Sequence, residues 1–198
     1  VSDVNVIVTD AISDADYDAI VSEGIGSGTT ITFDLTDTKA NLFTSSGSGN
    51  TLVASAVVAG ATNVTVTGAI TQTQAAAVNT SRSDLNEVTF DLSDSNTNIF
   101  GGDNALDNST VVTKAANVTI TGNTNTTQAA AVNTARSGLT TTTFANLVDS
   151  AANLGADTSA VNTALGRASA IAVSASDNSN AAKLNTLNTN TPLIVDAT

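Results

Sequence analysis

Along Asn63-Val64-Thr65-Val66-Thr67 and Glu87-Val88-Thr89-Phe90-Asp91-Leu92-Ser93 apolar and polar residues alternate, which is the period of a β-strand buried on one face. Val64, Val66, Val88, Phe90 and Leu92 are therefore expected to point inward. The opposite face would carry Thr65, Thr67, Thr89, Asp91, Thr119 and Thr121, together with Thr32 and Asp34. Thr143-Phe144-Ala145-Asn146-Leu147 breaks the alternation, which predicts a bulge or register shift there. Between the strands the pattern changes. Thr71 precedes an Ala-rich run and Gln74 stands three residues on, a capping box that satisfies backbone N–H groups at a helix start. Ser13 with Asp16, Asn125 with Gln128, and Asp177 with Asn180 repeat that arrangement. Arg82 and Arg136 fall near the ends of the resulting helices, where a cation meets the C-terminal partial charge. A second, less regular helix is predicted over 51–59 and again over 158–167.

The pattern recurs as a unit. Gln74-Ala75-Ala76-Ala77-Val78-Asn79-Thr80-Ser81-Arg82-Ser83 returns almost unchanged as Gln128-Ala129-Ala130-Ala131-Val132-Asn133-Thr134-Ala135-Arg136-Ser137. The strand at Asn63 recurs as Asn117-Val118-Thr119-Ile120-Thr121, as Asn5-Val6-Ile7-Val8-Thr9, and as Ala170-Ile171-Ala172-Val173-Ser174. A second anchor follows each: Asp37-Thr38-Lys39-Ala40-Asn41-Leu42-Phe43, Asp94-Ser95-Asn96-Thr97-Asn98-Ile99-Phe100, Asp149-Ser150-Ala151-Ala152-Asn153-Leu154, and a truncated Asp196-Ala197-Thr198. Repetition at a period of tens of residues marks stacked supersecondary units. The chain is thus read as a single array over 1–198, with repeats at about 5–61, 62–116, 117–168 and 169–198.

Strands separated by helices pair in parallel through right-handed crossovers. Sheets covered on both faces read as unbroken apolar runs, and these strands alternate instead. The expected fold is α/β, a repeat solenoid with one parallel β-sheet layer and one helical layer. The alternative is a right-handed parallel β-helix, against which the capped Ala-rich segments argue. The last copy stops inside its anchor and neither end resembles a solenoid cap, so the chain is expected to be a piece of a longer array or a processed product.

Composition narrows the function. Eighteen acidic residues against six basic ones leave a net charge of −12, which repels nucleic acid and anionic membrane surfaces. The chain has no His and no Cys, so the usual zinc, haem and iron–sulfur ligands and the Cys or His nucleophile–base pairs cannot be assembled from it. No run reaches transmembrane length. Aromatic residues make up 3%, too few to build a sugar-stacking hydrolase cleft. The chain is therefore read as non-enzymatic, with no nucleic-acid partner and no membrane insertion.

Two residue sets remain as binding candidates. Asp37, Asp94 and Asp149, with Asn41, Asn98 and Asn153, recur at strand ends and could ligate calcium as a ladder, which makes calcium, as a structural ion, the cofactor candidate. The competing reading is that such Asp and Asn residues cap the next turn or helix. Asp14, Asp16 and Asp18 have the spacing of a calcium loop, but Ala19 stands where glycine is needed and Ile25 where the bidentate Glu belongs. The second set is the Thr-rich strand face, Thr65, Thr67, Thr89, Asp91, Thr119 and Thr121, a regular grid open to glycan, ice or a host surface.

The succession of a Val-Thr-Phe strand, an Asp-x-x-Ala-Asn-Leu turn, a Val-Thr-Val-Thr strand and a Gln-Ala-rich helix resembles repeats in very large secreted surface proteins of cyanobacteria and proteobacteria, of the type I-secreted adhesin-like or S-layer-like kind. Here the turn reads Asp37-Thr38-Lys39-Ala40-Asn41-Leu42 and Asp149-Ser150-Ala151-Ala152-Asn153-Leu154. The resemblance implies an extracellular or cell-surface location and a structural role, in an S-layer, filament or adhesin stalk, with other copies or neighbouring repeats as partners. The Gly-Gly-x-Gly-x-Asp nonapeptide of calcium-binding members is missing, Gly101-Gly102-Asp103-Asn104 being the nearest approach. Calcium binding is accordingly not implied by motif.

Overall fold

The computed structural model describes residues 5–23, 29–44, 49–83, 85–136, 141–156 and 159–174. The expected capping box at Asp177 and Asn180 and the anchor at Asp196 lie outside the described residues. The protein is α/β, built from helices and parallel strand pairs. It divides into two compact units, residues 1–92 with 114–116, and residues 93–113 with 117–198.

The first unit carries β1 (Asn5–Ile7), α1 (Asp14–Ser22), β2 (Thr30–Thr32), β3 (Leu35–Thr38), α2 (Lys39–Leu42), α3 (Ser55–Gly60), β4 (Val64–Thr67), α4 (Gln72–Arg82) and β5 (Val88–Thr89). Strand β1 pairs with β2, and β4 lies between β3 and β5. The alternation read from sequence sets the burial: Val64, Val66, Val88, Phe90 and Leu92 are all in the core. Tyr17 of α1 lies against Phe33, ring centroids 4.8 Å apart. The capping boxes form as expected, Ser13 accepting from the Asp16 N–H and Thr71 from the Gln74 N–H. The helix expected over 51–59 is shorter. Thr51–Ala54 stays outside the helix because Leu52 bridges Phe43 antiparallel, and α3 starts at Ser55 with no side-chain cap.

The second unit carries β6 (Leu92–Ser95), α5 (Asn96–Phe100), α6 (Ser109–Lys114), β7 (Val118–Thr124), α7 (Thr126–Ala135), β8 (Thr142–Asp149), α8 (Ala151–Leu154), α9 (Ser159–Leu165) and β9 (Ala168–Val173), with its strands in chain order. Asn125 and Gln128 form the third capping box. The predicted irregularity is present. The register shifts between Ile120 and Asn123 of β7, opposite Phe144 and Asn146 of β8, and the extra residue sits on β7, where Gly122 takes φ 84°. Only glycine adopts that conformation without strain. Phe144 and Leu147 stay in the core on both sides of the shift.

Candidate functional site

The recurring anchor is where the chain concentrates buried polar chemistry. Thr38, Ser95 and Ser150 have extended backbone and accept, through their hydroxyls, the N–H groups of Asn41, Asn98 and Asn153, so they are the N-caps of α2, α5 and α8. The preceding aspartate supports each cap. One oxygen of Asp37 accepts the Thr38 N–H and the Asn41 Nδ2, both at 2.7 Å. Asp94 does the same with Ser95 and Asn98, at 2.8 and 2.7 Å, and Asp149 with Ser150 and Asn153, both at 2.8 Å. Asn41, Asn98 and Asn153 thus present amide nitrogens to the carboxylates. Sequence reasoning placed the Asp and Asn here but missed the Ser/Thr caps, although a Ser/Thr with Asn three residues on was visible in the three full anchors.

The second carboxylate oxygen reaches further. Asp37 Oδ2 accepts the Asp14 N–H at 2.9 Å, and Asp149 Oδ2 accepts the Thr126 N–H at 3.0 Å and its hydroxyl at 2.7 Å. Asp14 and Thr126 open helices α1 and α7, so a carboxylate from β3 or β8 sits at each helix's positive end. Burial alone would raise the pKa of Asp149, but donation from Thr126, Asn153 and Ser150 outweighs it and holds the carboxyl below its ordinary range. Asp14 titrates above its ordinary value through burial, then through Asp18 and Asp37. Among the described residues no group of three or more His, Cys, Asp or Glu converges.

The glutamines of the capping boxes also bridge far along the chain. Gln74 and Gln128 are 3% and 7% exposed. Each returns its Oε1 to the N-cap N–H and donates its Nε2 to a loop carbonyl, Gly49 at 2.6 Å and Asp103 at 2.7 Å. In the second unit Asn96 also donates to Gln128 Oε1, at 2.8 Å. Lys39 holds that position in the first unit and donates instead to the Ala69 carbonyl, at 3.1 Å. A cleft of about 540 Å³ lies there, beside Lys39, Phe43, Thr71 and Gln74.

The arginines reach beyond the helices they end. Arg82 donates to the carbonyls of Val58 at 2.9 Å and Ala61 at 2.6 Å, closing α3, and pairs with Glu87 at 3.2 Å. Arg136, 1% exposed, donates to the Val112 carbonyl of α6 at 2.6 Å. Burial, and secondarily the charge of Arg167, hold its pKa below the ordinary guanidinium value. Arg82 lies in the last turn of α4 and Arg136 is the C-cap of α7, near the helix ends as expected, and each long side chain also reaches the neighbouring helix, whose last carbonyls have no intrahelical donor.

The strand face expected to be open is open in part. Thr67, Thr89 and Thr121 are exposed and Thr65, Asp91 and Thr119 half-buried, and Thr32 and Asp34 are exposed too. Thr36, Thr65 and Thr89 align directly across β3, β4 and β5, and Thr119 aligns with Thr143. Thr67 and Thr121 donate their hydroxyls to the carbonyls of Asp37 and Asp94, both at 3.2 Å. No helix among the described residues is long and apolar enough to cross a membrane. Comparison with protein-family models, with curated proteins and with solved structures finds no match to this chain.

Proposed function

We propose that this chain is a non-enzymatic structural repeat segment of an extracellular bacterial surface or matrix protein, an S-layer, filament or adhesin stalk, whose βα modules stack as an α/β solenoid and self-assemble. The observation that carries the reading is where the buried polar groups go. Gln74, Gln128, Arg82 and Arg136 bond to backbone carbonyls 21 to 25 residues away in the preceding repeat, and Asp37 and Asp149 accept from helix starts 23 residues back in their own repeat. Such groups hold a stack together and transmit length and stiffness. An acidic surface keeps a long array soluble and limits misassembly. Electron microscopy of purified protein is the test: ordered sheets or fibres are expected, and dispersed particles at every concentration would overturn the reading.

A second reading is favoured by the aligned row Thr36, Thr65 and Thr89, extended by Thr67, Asp91, Thr119 and Thr121. It makes the Thr face a binding module for glycan, ice or a host surface. Isolated rods that take up such a ligand would support it over the first. Calcium enters either reading as a structural ion acting on assembly or stability. Identical melting curves and assembly states with calcium and with chelator would remove it.

A further inference from the structure

Helices α7 and α9 pack side by side within the second unit and leave between them a groove of about 430 Å³. The small side chains of Ala130 and Ala160 keep it open, and Asn133, Thr134, Thr163 and Arg167 bring polar atoms to its walls. Its volume falls among those of pockets that take a small molecule, about 300–1,000 Å³. These polar side chains take no part in the caps, the glutamine bridges or the Thr strand face.

Arg167 donates from Nη1 to Asn133 Oδ1 at 2.8 Å. That bond fixes the amide, because the flipped form would set an NH2 group against a guanidinium, donor to donor. Asn133 Nδ2 is then buried and without an acceptor, a state that native structures rarely tolerate. The guanidinium is unbalanced as well. Arg167 has no carboxylate partner among the described residues, and its charge adds to burial in lowering the pKa of Arg136. In a chain of net charge −12 with six basic residues, two neighbouring cations create a local demand for an anion. The threonines offer the opposite chemistry. Their hydroxyl protons go to the carbonyls of Ala130 and Ser159, at 2.9 and 2.7 Å, so their oxygens present lone pairs that a ligand's hydroxyl groups can satisfy.

We propose that this groove binds a small hydroxylated carboxylate, the chemistry of a sugar acid. The carboxylate accepts charge-assisted bonds from Arg167 and a further bond from Asn133 Nδ2, and the ligand's hydroxyls donate to Thr134 and Thr163. The site is built on two helices, apart from the Thr strand face, and requires neither self-assembly nor the surface-protein reading.

Heteronuclear NMR of the full chain, titrated with sodium glucuronate at constant ionic strength, is the test. Saturable shifts are expected in the Asn133 side-chain amide and in the backbone amides of 130–134 and 159–167. Glucose, which lacks the carboxylate, and sodium sulfate, which lacks the hydroxyls, should bind several-fold less tightly. Asn133→Leu keeps the bulk and removes the donor, and Arg167→Ala removes the charge. Each should weaken glucuronate binding roughly tenfold or more, as the loss of a bond to a charged group does. Asn133→Asp supplies the missing anion from the chain itself, so it should abolish binding and raise the Tm. The absence of saturable shifts in the wild type would overturn the proposal, as would glucose or sulfate binding as tightly as glucuronate. Unchanged affinity in Asn133→Leu, Arg167→Ala or Asn133→Asp would overturn it too.

Discussion

Thr126 gives both its backbone N–H and its hydroxyl to one oxygen of Asp149, 23 residues further along the chain. The other oxygen caps α8, so one carboxylate fastens two helix starts. Its folded pKa lies below the ordinary value, so its stabilisation is complete above about pH 4, the unfolded-chain value. The stabilisation is lost as the pH falls through the lower folded value. Thermal melts of wild type should therefore hold their Tm down to about pH 4 and fall below it. Asp149→Asn should start about 1–3 kcal/mol less stable at neutral pH and lose less on acidification. Parallel pH profiles for the two proteins would refute this role.

Gln128→Ala leaves the Asp103 carbonyl without its side-chain donor and the Asn125 N–H without its acceptor. Denaturant unfolding should register a loss of about 1–3 kcal/mol. Hydrogen exchange should locate the weakening at α7's first turn and the loop at 103–104, and exchange confined to the helix alone would refute the bridge.

Arg136→Leu retains bulk and apolar contact but removes the donor to the Val112 carbonyl. The cost is expected at roughly 1–3 kcal/mol, and Arg136→Lys should recover little because a point ammonium lacks the planar fork. Full recovery by lysine in chemical denaturation would mean that charge alone matters.

Phe144 is fully buried at the register shift of β7 and β8. Phe144→Ala should cost about 3–5 kcal/mol, measured by urea unfolding, and a loss under 1 kcal/mol would mean that the site collapses freely.

The parts of this fold legible in the sequence are those whose partners lie within four residues. The capping boxes at Ser13, Thr71 and Asn125 could be read because acceptor and donor are three positions apart, and the strand faces because alternation is itself local. The break at Phe144 was visible for the same reason, although the extra residue proved to be on the facing strand. The long-range work of Asp37, Gln74 and Arg82 was hidden. Each also has a local role open to it, and nothing in a single chain tells which distant backbone group a side chain will meet. The helix start at Ser55 depended on the bridge from Leu52 to Phe43, a tertiary contact that keeps 51–54 out of the helix. Of the candidate sites, the Thr face was legible through its period, whereas the capping hydroxyls of Thr38, Ser95 and Ser150 were overshadowed by the acidic residue before each.

The contact between Tyr17 and Phe33 has a spectroscopic consequence. Tyr17 is the sole tyrosine of a chain without tryptophan, and it lies in the first unit. Intrinsic emission therefore tracks the melting of that unit and is blind to the second, whose unfolding would surface only in calorimetry or far-ultraviolet dichroism. A mismatch between those traces would measure directly how independently the two units come apart.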